Sequence, residues 1–136
     1  MRIFLDANVL FSAAKSDGAV RQLLRLLQAA RHELWVDGYV TEEARRNLVS
    51  KAPDGVAVLE ALLARMNSAS ATRIDREMEA RLPLPEKDRP VLAAPIHCEC
   101  AALVTGDSTH FGALYGRKIG GVAVHSPRSI ALALLA

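Results

Sequence analysis

The chain of 136 residues has only two cysteines, Cys98 and Cys100, and no CxxC pair. That spacing supplies neither a disulfide framework nor the four soft ligands of a structural zinc site. Both thiols are read as free, in a reducing compartment, within a helix whose positions i and i+2 face different sides. Aromatic residues make up 4% of the sequence, which leaves little material for stacking on nucleic-acid bases. Long apolar runs are missing as well: none approaches the roughly 20 residues needed to span a bilayer. Asp6 interrupts the only N-terminal apolar stretch, which argues against a secretory leader. Charge of one sign is not in excess, since 17 Lys and Arg face 15 Asp and Glu for a net +2, too weak a balance to name a nucleic-acid partner by itself. No repeat, low-complexity tract or linker divides the chain. The expectation is a soluble, cytoplasmic protein with no membrane association, folded as a single domain over residues 1–136.

What is present is a 51% apolar content cut into short segments. A globular chain of this length buries roughly two-thirds of its unfolded surface, so a sizeable core needs no covalent staple. Residues 2–5 (RIFL) form a short β-prone run, suited to a buried central strand of a parallel sheet. A helical start at 8–14, a break at Ser16-Asp17-Gly18 and helical spacing of Val20, Leu23, Leu24 and Leu27 follow. A second strand is expected at 33–36, closed by Asp37-Gly38, and then a helix with Thr41 as its N-cap and Glu42 and Glu43 in its first turn. A third helix starts at Val56, a weak strand is placed at 71–74, a short charged helix at 75–81, and Leu82-Pro83-Leu84-Pro85 must be a loop. Helical spacing resumes at Glu86 and reaches Ala102, with Pro95 expected to kink or restart it. Strands follow at 103–105 and, after Gly120-Gly121, at 122–125. Ser126-Pro127 opens the final helix, a serine cap with proline at the first helical position. Strands alternating with helical crossovers imply an α/β fold, with a mostly parallel sheet of about five strands covered on both faces in a three-layer α/β/α sandwich.

In such sheets ligands bind beyond the carboxyl ends of the strands. Asp6 and Asp107 each follow an apolar run directly, and Glu42 or Glu43, with Asp88, can approach the same rim from helices. Taken singly, a strand-end aspartate is ordinarily a turn or cap residue, and a glutamate near a helix start complements the dipole. Taken together, up to four carboxylates at one edge repel one another unless cations neutralise them. Oxygen-only ligands select Mg²⁺ or Mn²⁺, and such a site suits hydrolysis of a phosphodiester by an activated water.

The succession LDAN, EEARRNL, DRPVLAA, LVTGDSTHF and a closing GGVAVHSPRSIALAL resembles the PIN-domain nucleases, including VapC-type toxins, over nearly the whole chain. LVTGD followed by HF is the most specific piece. The resemblance implies a PIN-like fold and a Mg²⁺- or Mn²⁺-dependent ribonuclease, often dimeric and often paired with an antitoxin. By position, Asp6, Asp88 and Asp107 match its first, third and fourth metal-binding acids. Glu43 is the choice for the second, with Glu42 as fallback. Asn8 and Thr105 match polar positions that orient the acids. Arg45, Arg46, Lys51, Arg89, Arg117 and Lys118 are candidates for a phosphate-binding path. Two departures stand out: Pro95 interrupts a helix that the family usually keeps continuous, which could displace Asp88, and His110 stands after Asp107 in place of a further acid. One helical turn could bring His110 to the ions, although a structural role is the ordinary one.

Two other readings compete. In a haloacid dehalogenase-like phosphatase Asp6 would be the nucleophile, but the second acid of that motif is Asn8 here. A non-catalytic module could keep the fold and bind a partner in the crevice.

Overall fold

Arg2–Leu5 forms β1, and Ile3, Phe4 and Leu5 along it are all fully buried. Successive residues of a strand point to opposite sides, so burial of three in a row requires cover on both faces of the sheet. The computed structural model describes residues 1–70 and 75–135. In chain order, β1 is followed by α1 (Ala7–Lys15), α2 (Ala19–Ala29), β2 (Glu33–Val36), α3 (Gly38–Lys51), α4 (Gly55–Leu63), β3 (Asn67–Ser68), α5 (Arg76–Ala80), α6 (Arg89–His97), β4 (Ala102–Val104), α7 (Ser108–Phe111), β5 (Lys118–Ile119), β6 (Val122–His125) and α8 (Pro127–Leu134). A 3-10 turn, Glu86–Asp88, leads into α6.

The sheet order is β3-β2-β1-β4-β6-β5. All neighbours are parallel except β5 and β6, which pair antiparallel. The chain leaves β1 for β2 on one side and later returns to place β4 on the other, so the direction of winding reverses between β1 and β4. Loops on the two sides of such a switch point part and leave a crevice at the carboxyl ends of the strands. The registers Ile3 with Ala102 and Leu5 with Val104 bring those two ends level.

The expected α/β architecture and its mostly parallel sheet hold, with six strands among the described residues. The additional one is β5, a two-residue edge strand joined to β6 through Gly120-Gly121, whose φ values of 56° and 85° are the left-handed conformations that a tight hairpin demands. The strand expected at 71–74 lies outside the described residues; β3 is formed by Asn67–Ser68 instead.

Thr41 does not cap α3. Asp37, read as a turn residue, takes that role: its extended backbone lets the carboxylate accept from the Val40 N–H at 3.1 Å. Thr41 lies a turn inside the helix and donates its hydroxyl to the Asp37 carbonyl at 3.0 Å. Glu42 and Glu43 accordingly sit beyond the first turn. Nor do the cysteines lie in a helix. Pro95 falls in the last turn of α6, which ends at His97, so Cys98 caps it and Cys100 belongs to the link into β4. Glu99 between them adopts φ 57°.

Candidate metal centre

Asp6 ends β1 and caps α1, so one residue serves both sheet and helix. Its backbone N–H extends the sheet ladder to the Val104 carbonyl at 3.0 Å. Its carboxylate accepts from the Ala7 N–H at 2.7 Å, from the Thr105 hydroxyl at 2.7 Å and from the Asn8 amide at 3.1 Å. Asn8 also accepts from the Gly106 N–H at 2.8 Å, and Thr105 Oγ1 accepts from the Asp107 N–H at 3.1 Å. The loop after β4 is thereby stitched to the start of α1. Asn8 is no second acid here; its side chain orients Asp6 and holds the facing loop. Asn8 and Thr105, read from the sequence as residues that orient the acids, both donate to the Asp6 carboxylate.

Asp107 caps α7, accepting from the His110 N–H at 3.1 Å. One turn on, His110 Nδ1 lies 2.8 Å from Asp107 Oδ2 and 3.2 Å from Asp88 Oδ2. Asp88 closes the 3-10 turn before α6 and makes no side-chain cap bond to that helix. Its Oδ2 is buried, and the His110 approach lacks hydrogen-bond geometry, so among the described residues the oxygen has no hydrogen-bond partner. Pro95 comes a turn and a half or more after Asp88, at the far end of α6, and leaves it facing its neighbours.

Asp6, Glu43, Asp88 and Asp107 all line one cleft of about 310 Å³, together with Asn8 and His110. Among the described residues, ligand atoms of Asp88, Asp107 and His110 come within 4.8 Å of one another. Glu42 faces elsewhere, lining a shallow concavity with Arg45, Arg46 and Val49. Asp6 is 5% exposed, and burial raises its pKa above the ordinary value. Hydrogen bonds from Thr105 and Ala7 oppose that rise, while the charges of Glu43 and Asp107 add to it. The Tyr39 hydroxyl is likewise pushed up, first by burial and then by Glu43, Asp88 and Asp6. A buried carboxylate oxygen without a donor, beside two further acids whose fields overlap, is a donor set suited to a hard divalent cation.

The expected phosphate path is placed differently from the acids. Arg45 is engaged by Glu60 at 2.8 Å, Arg46 lies beside Glu42, and Arg89 Nε donates to the Leu84 carbonyl at 3.0 Å. Arg117 and Lys118 are exposed at the start of the β5 hairpin. None of these five lines the cleft; Lys51 does, as does Lys87, which the sequence did not single out. Phe11, Tyr39 and Asn47 also went unnoticed. A signal existed for α3, where Tyr39, Glu43, Asn47 and Lys51 recur every fourth residue and so share one face.

The PIN domain family profile matches residues 2–109. No curated protein sequence matches the chain. Among solved structures, a chain of VapBC2 from Rickettsia felis, bound to a DNA fragment from the promoter, superposes with a TM-score of 0.68 at 17% identity, covering 93% of this chain and 98% of that one. A chain of VapBC-1 from nontypeable Haemophilus influenzae superposes with a TM-score of 0.66 at 13% identity, covering 94% and 99%. At such identities the likeness is one of fold, and it agrees with the profile match and with the crevice between β1 and β4: the chain belongs to the PIN domain family.

Proposed function

We propose that the protein is a Mg²⁺- or Mn²⁺-dependent endoribonuclease and the toxin of a toxin–antitoxin pair. The observation that carries this reading is the convergence of Asp6, Glu43, Asp88 and Asp107 on one cleft, with a buried, unpartnered oxygen on Asp88. Those four side chains would hold the divalent ion, and His110 stands close enough to join or to orient Asp88 and Asp107. When bound, the ion supplies an activated water and neutralises charge on the phosphodiester. Asn8 and Thr105 fix the Asp6 carboxylate in place, and Asp6 buries its charge where water does not screen it. Lys87, next to Asp88 in the cleft wall, would take a phosphate beside the bond that breaks.

The toxin reading is supported by the two VapBC structures, whose fold this chain shares. A small antitoxin protein is the corresponding partner, and a homodimer the corresponding assembly. Cleavage of single-stranded and structured RNA in Mn²⁺ tests the chemistry. Asp6→Asn and Asp107→Asn should each lower the rate at least about a hundredfold, because several kcal/mol of charge stabilisation depends on the bound ion. Undiminished cleavage by either pure variant would overturn the assignment.

A further inference from the structure

The four acids and Lys87 line one part of the cleft, and Lys51 and Phe11 line another. Tyr39, Glu43, Asn47 and Lys51 form one stripe of α3, which at 1.5 Å per residue is about 18 Å long. Glu43 stands with the acids, and Lys51 ends the stripe some two turns away. Beside Lys51 is Phe11 on α1, five residues after Asp6, which lines the same cleft. Lys15 Nζ lies 5.7 Å from the centre of its ring and Lys51 Nζ 6.0 Å. Among the described residues neither lysine pairs with a carboxylate. Lys51 also lines the adjoining concavity, together with Lys15, Arg21, Asp17 and Asp54.

An aromatic ring with two ammonium groups over it that pair with no carboxylate among the described residues, in the part of the cleft away from the four acids, has the composition of a single-strand binding platform. We propose that Phe11, Lys15 and Lys51 form a nucleotide subsite for single-stranded RNA, in which a base stacks on the ring and the lysines take backbone phosphates a few nucleotides from the acids. The proposal rests on the ribonuclease reading of the cleft and adds a second point of contact with the strand, away from the acids. Bases inside an A-form duplex are already stacked and cannot offer a free face, so the subsite discriminates against paired RNA. The ring is partly buried against the core and lines the cleft with the rest of its surface.

The test is fluorescence anisotropy of a labelled single-stranded RNA oligonucleotide on the full chain without divalent ions, over a range of salt. Phe11→Leu, which keeps an apolar side chain against the core, should weaken binding about tenfold, and Phe11→Trp should restore it. Lys15→Ala with Lys51→Ala should flatten the slope of log affinity against log salt by about 1.4, from two lost phosphate contacts. An oligonucleotide of abasic residues should bind wild type and Phe11→Leu alike. Wild type that fails to bind, or an affinity and slope unmoved by these variants, would overturn the subsite. Cleavage is scored apart: a wild type that binds in this pattern but cuts no RNA in Mn²⁺ refutes the nuclease reading and leaves the subsite standing, whereas cutting with unaltered binding refutes the subsite alone.

Discussion

The two halves of the acidic cleft are held in opposite ways. On the β1 side, Asp6 is buried and accepts three hydrogen bonds, from Ala7, Asn8 and Thr105, so its carboxylate has one position before any ligand arrives. On the other side, Asp88 has a buried oxygen with no donor, and Asp107 shares His110 with it. Burying a carboxylate is tolerable where donors replace the lost water, as they do at Asp6, and costly where they do not. The first half is preorganised by the fold, while the second carries an unsatisfied demand for positive charge. In a phosphodiesterase that division is useful: a rigid ligand sets where the ion sits, and a half that gains most from the ion supplies the affinity.

The sharpest way to break the comparison is to remove acids one at a time. Glu43 lines the cleft and Glu42 lies outside it, so Glu43→Gln should lower Mn²⁺-dependent RNA cleavage at least about tenfold, by loss of one ligand's electrostatic support, and Glu42→Gln should change it little. A larger loss for Glu42→Gln would reverse the assignment. Metal affinity is the next test. Mn²⁺ at a hundred times its dissociation constant should stabilise the wild type by about 2.7 kcal/mol, seen as a raised melting temperature. Asp88→Asn should lose most of that rise and be no less stable than wild type without metal, since a neutral amide removes a buried charge that has no hydrogen-bond donor among the described residues. If Asp88→Asn kept the full Mn²⁺ response, the unpartnered oxygen would have no part in the site.

The legibility of these features in the sequence follows from their range. Strands 2–5, 33–36 and 122–125 are continuous apolar runs bounded by turn residues, and their ends coincide with the observed ones. The place of Asp6 was readable for the same reason, because a strand end locates the residue that follows it; Asp107 lies three residues past the end of β4, where the Gly106-Asp107 turn signal marks it. Glu43 needed more: the true start of α3 at Gly38 is hidden by an Asp-Gly pair that reads as a turn but acts as cap and first residue. The link at 98–101 reads as helix because Val91, Leu92, Ile96, Ala101 and Ala102 keep helical spacing, while Pro95, the left-handed Glu99 and the hydrogen bond from Arg2 to the Cys98 carbonyl end it there. Local pattern carries nothing about contacts between distant segments, and the Thr105 to Asp6 bond, 99 residues apart, and the approach of His110 to Asp88 are of tertiary origin, whereas the contact of His110 with Asp107 one turn away is local. The two-residue β5 has no periodicity to detect; only its Gly-Gly turn hinted at a hairpin.

The preorganised half has its own test. Thr105 is fully buried, and its hydroxyl both donates to Asp6 and accepts from the Asp107 N–H. Thr105→Val keeps the shape and removes the bond to a charged group, which should cost about 1.5–3 kcal/mol of stability in urea unfolding, whereas Thr105→Ser should recover most of it. A neutral result for valine would mean that Asp6 is not held by this contact.

The smallest effect expected is in the pH dependence of the metal-free protein. Asp6 has a folded pKa raised above its ordinary 3.8, chiefly by burial. A raised carboxyl pKa means that the folded state binds the proton more tightly than the unfolded chain, so its stabilising contribution is complete below the unfolded pKa. That contribution is lost as pH rises through the raised folded pKa. Asp37 is shifted in the same direction by its own burial, so wild type alone cannot isolate Asp6. The difference between wild type and Asp6→Asn can, since Asp37 is common to both. From pH 4 upward, wild type without metal should lose stability relative to Asp6→Asn and then level off. Saturating Mn²⁺ should abolish that loss, because a bound cation favours the ionised form. A difference that is flat with pH, or a wild type that gains on the variant as pH rises, would mean that the three hydrogen bonds outweigh burial at Asp6 and that this half of the cleft is relaxed without its ion.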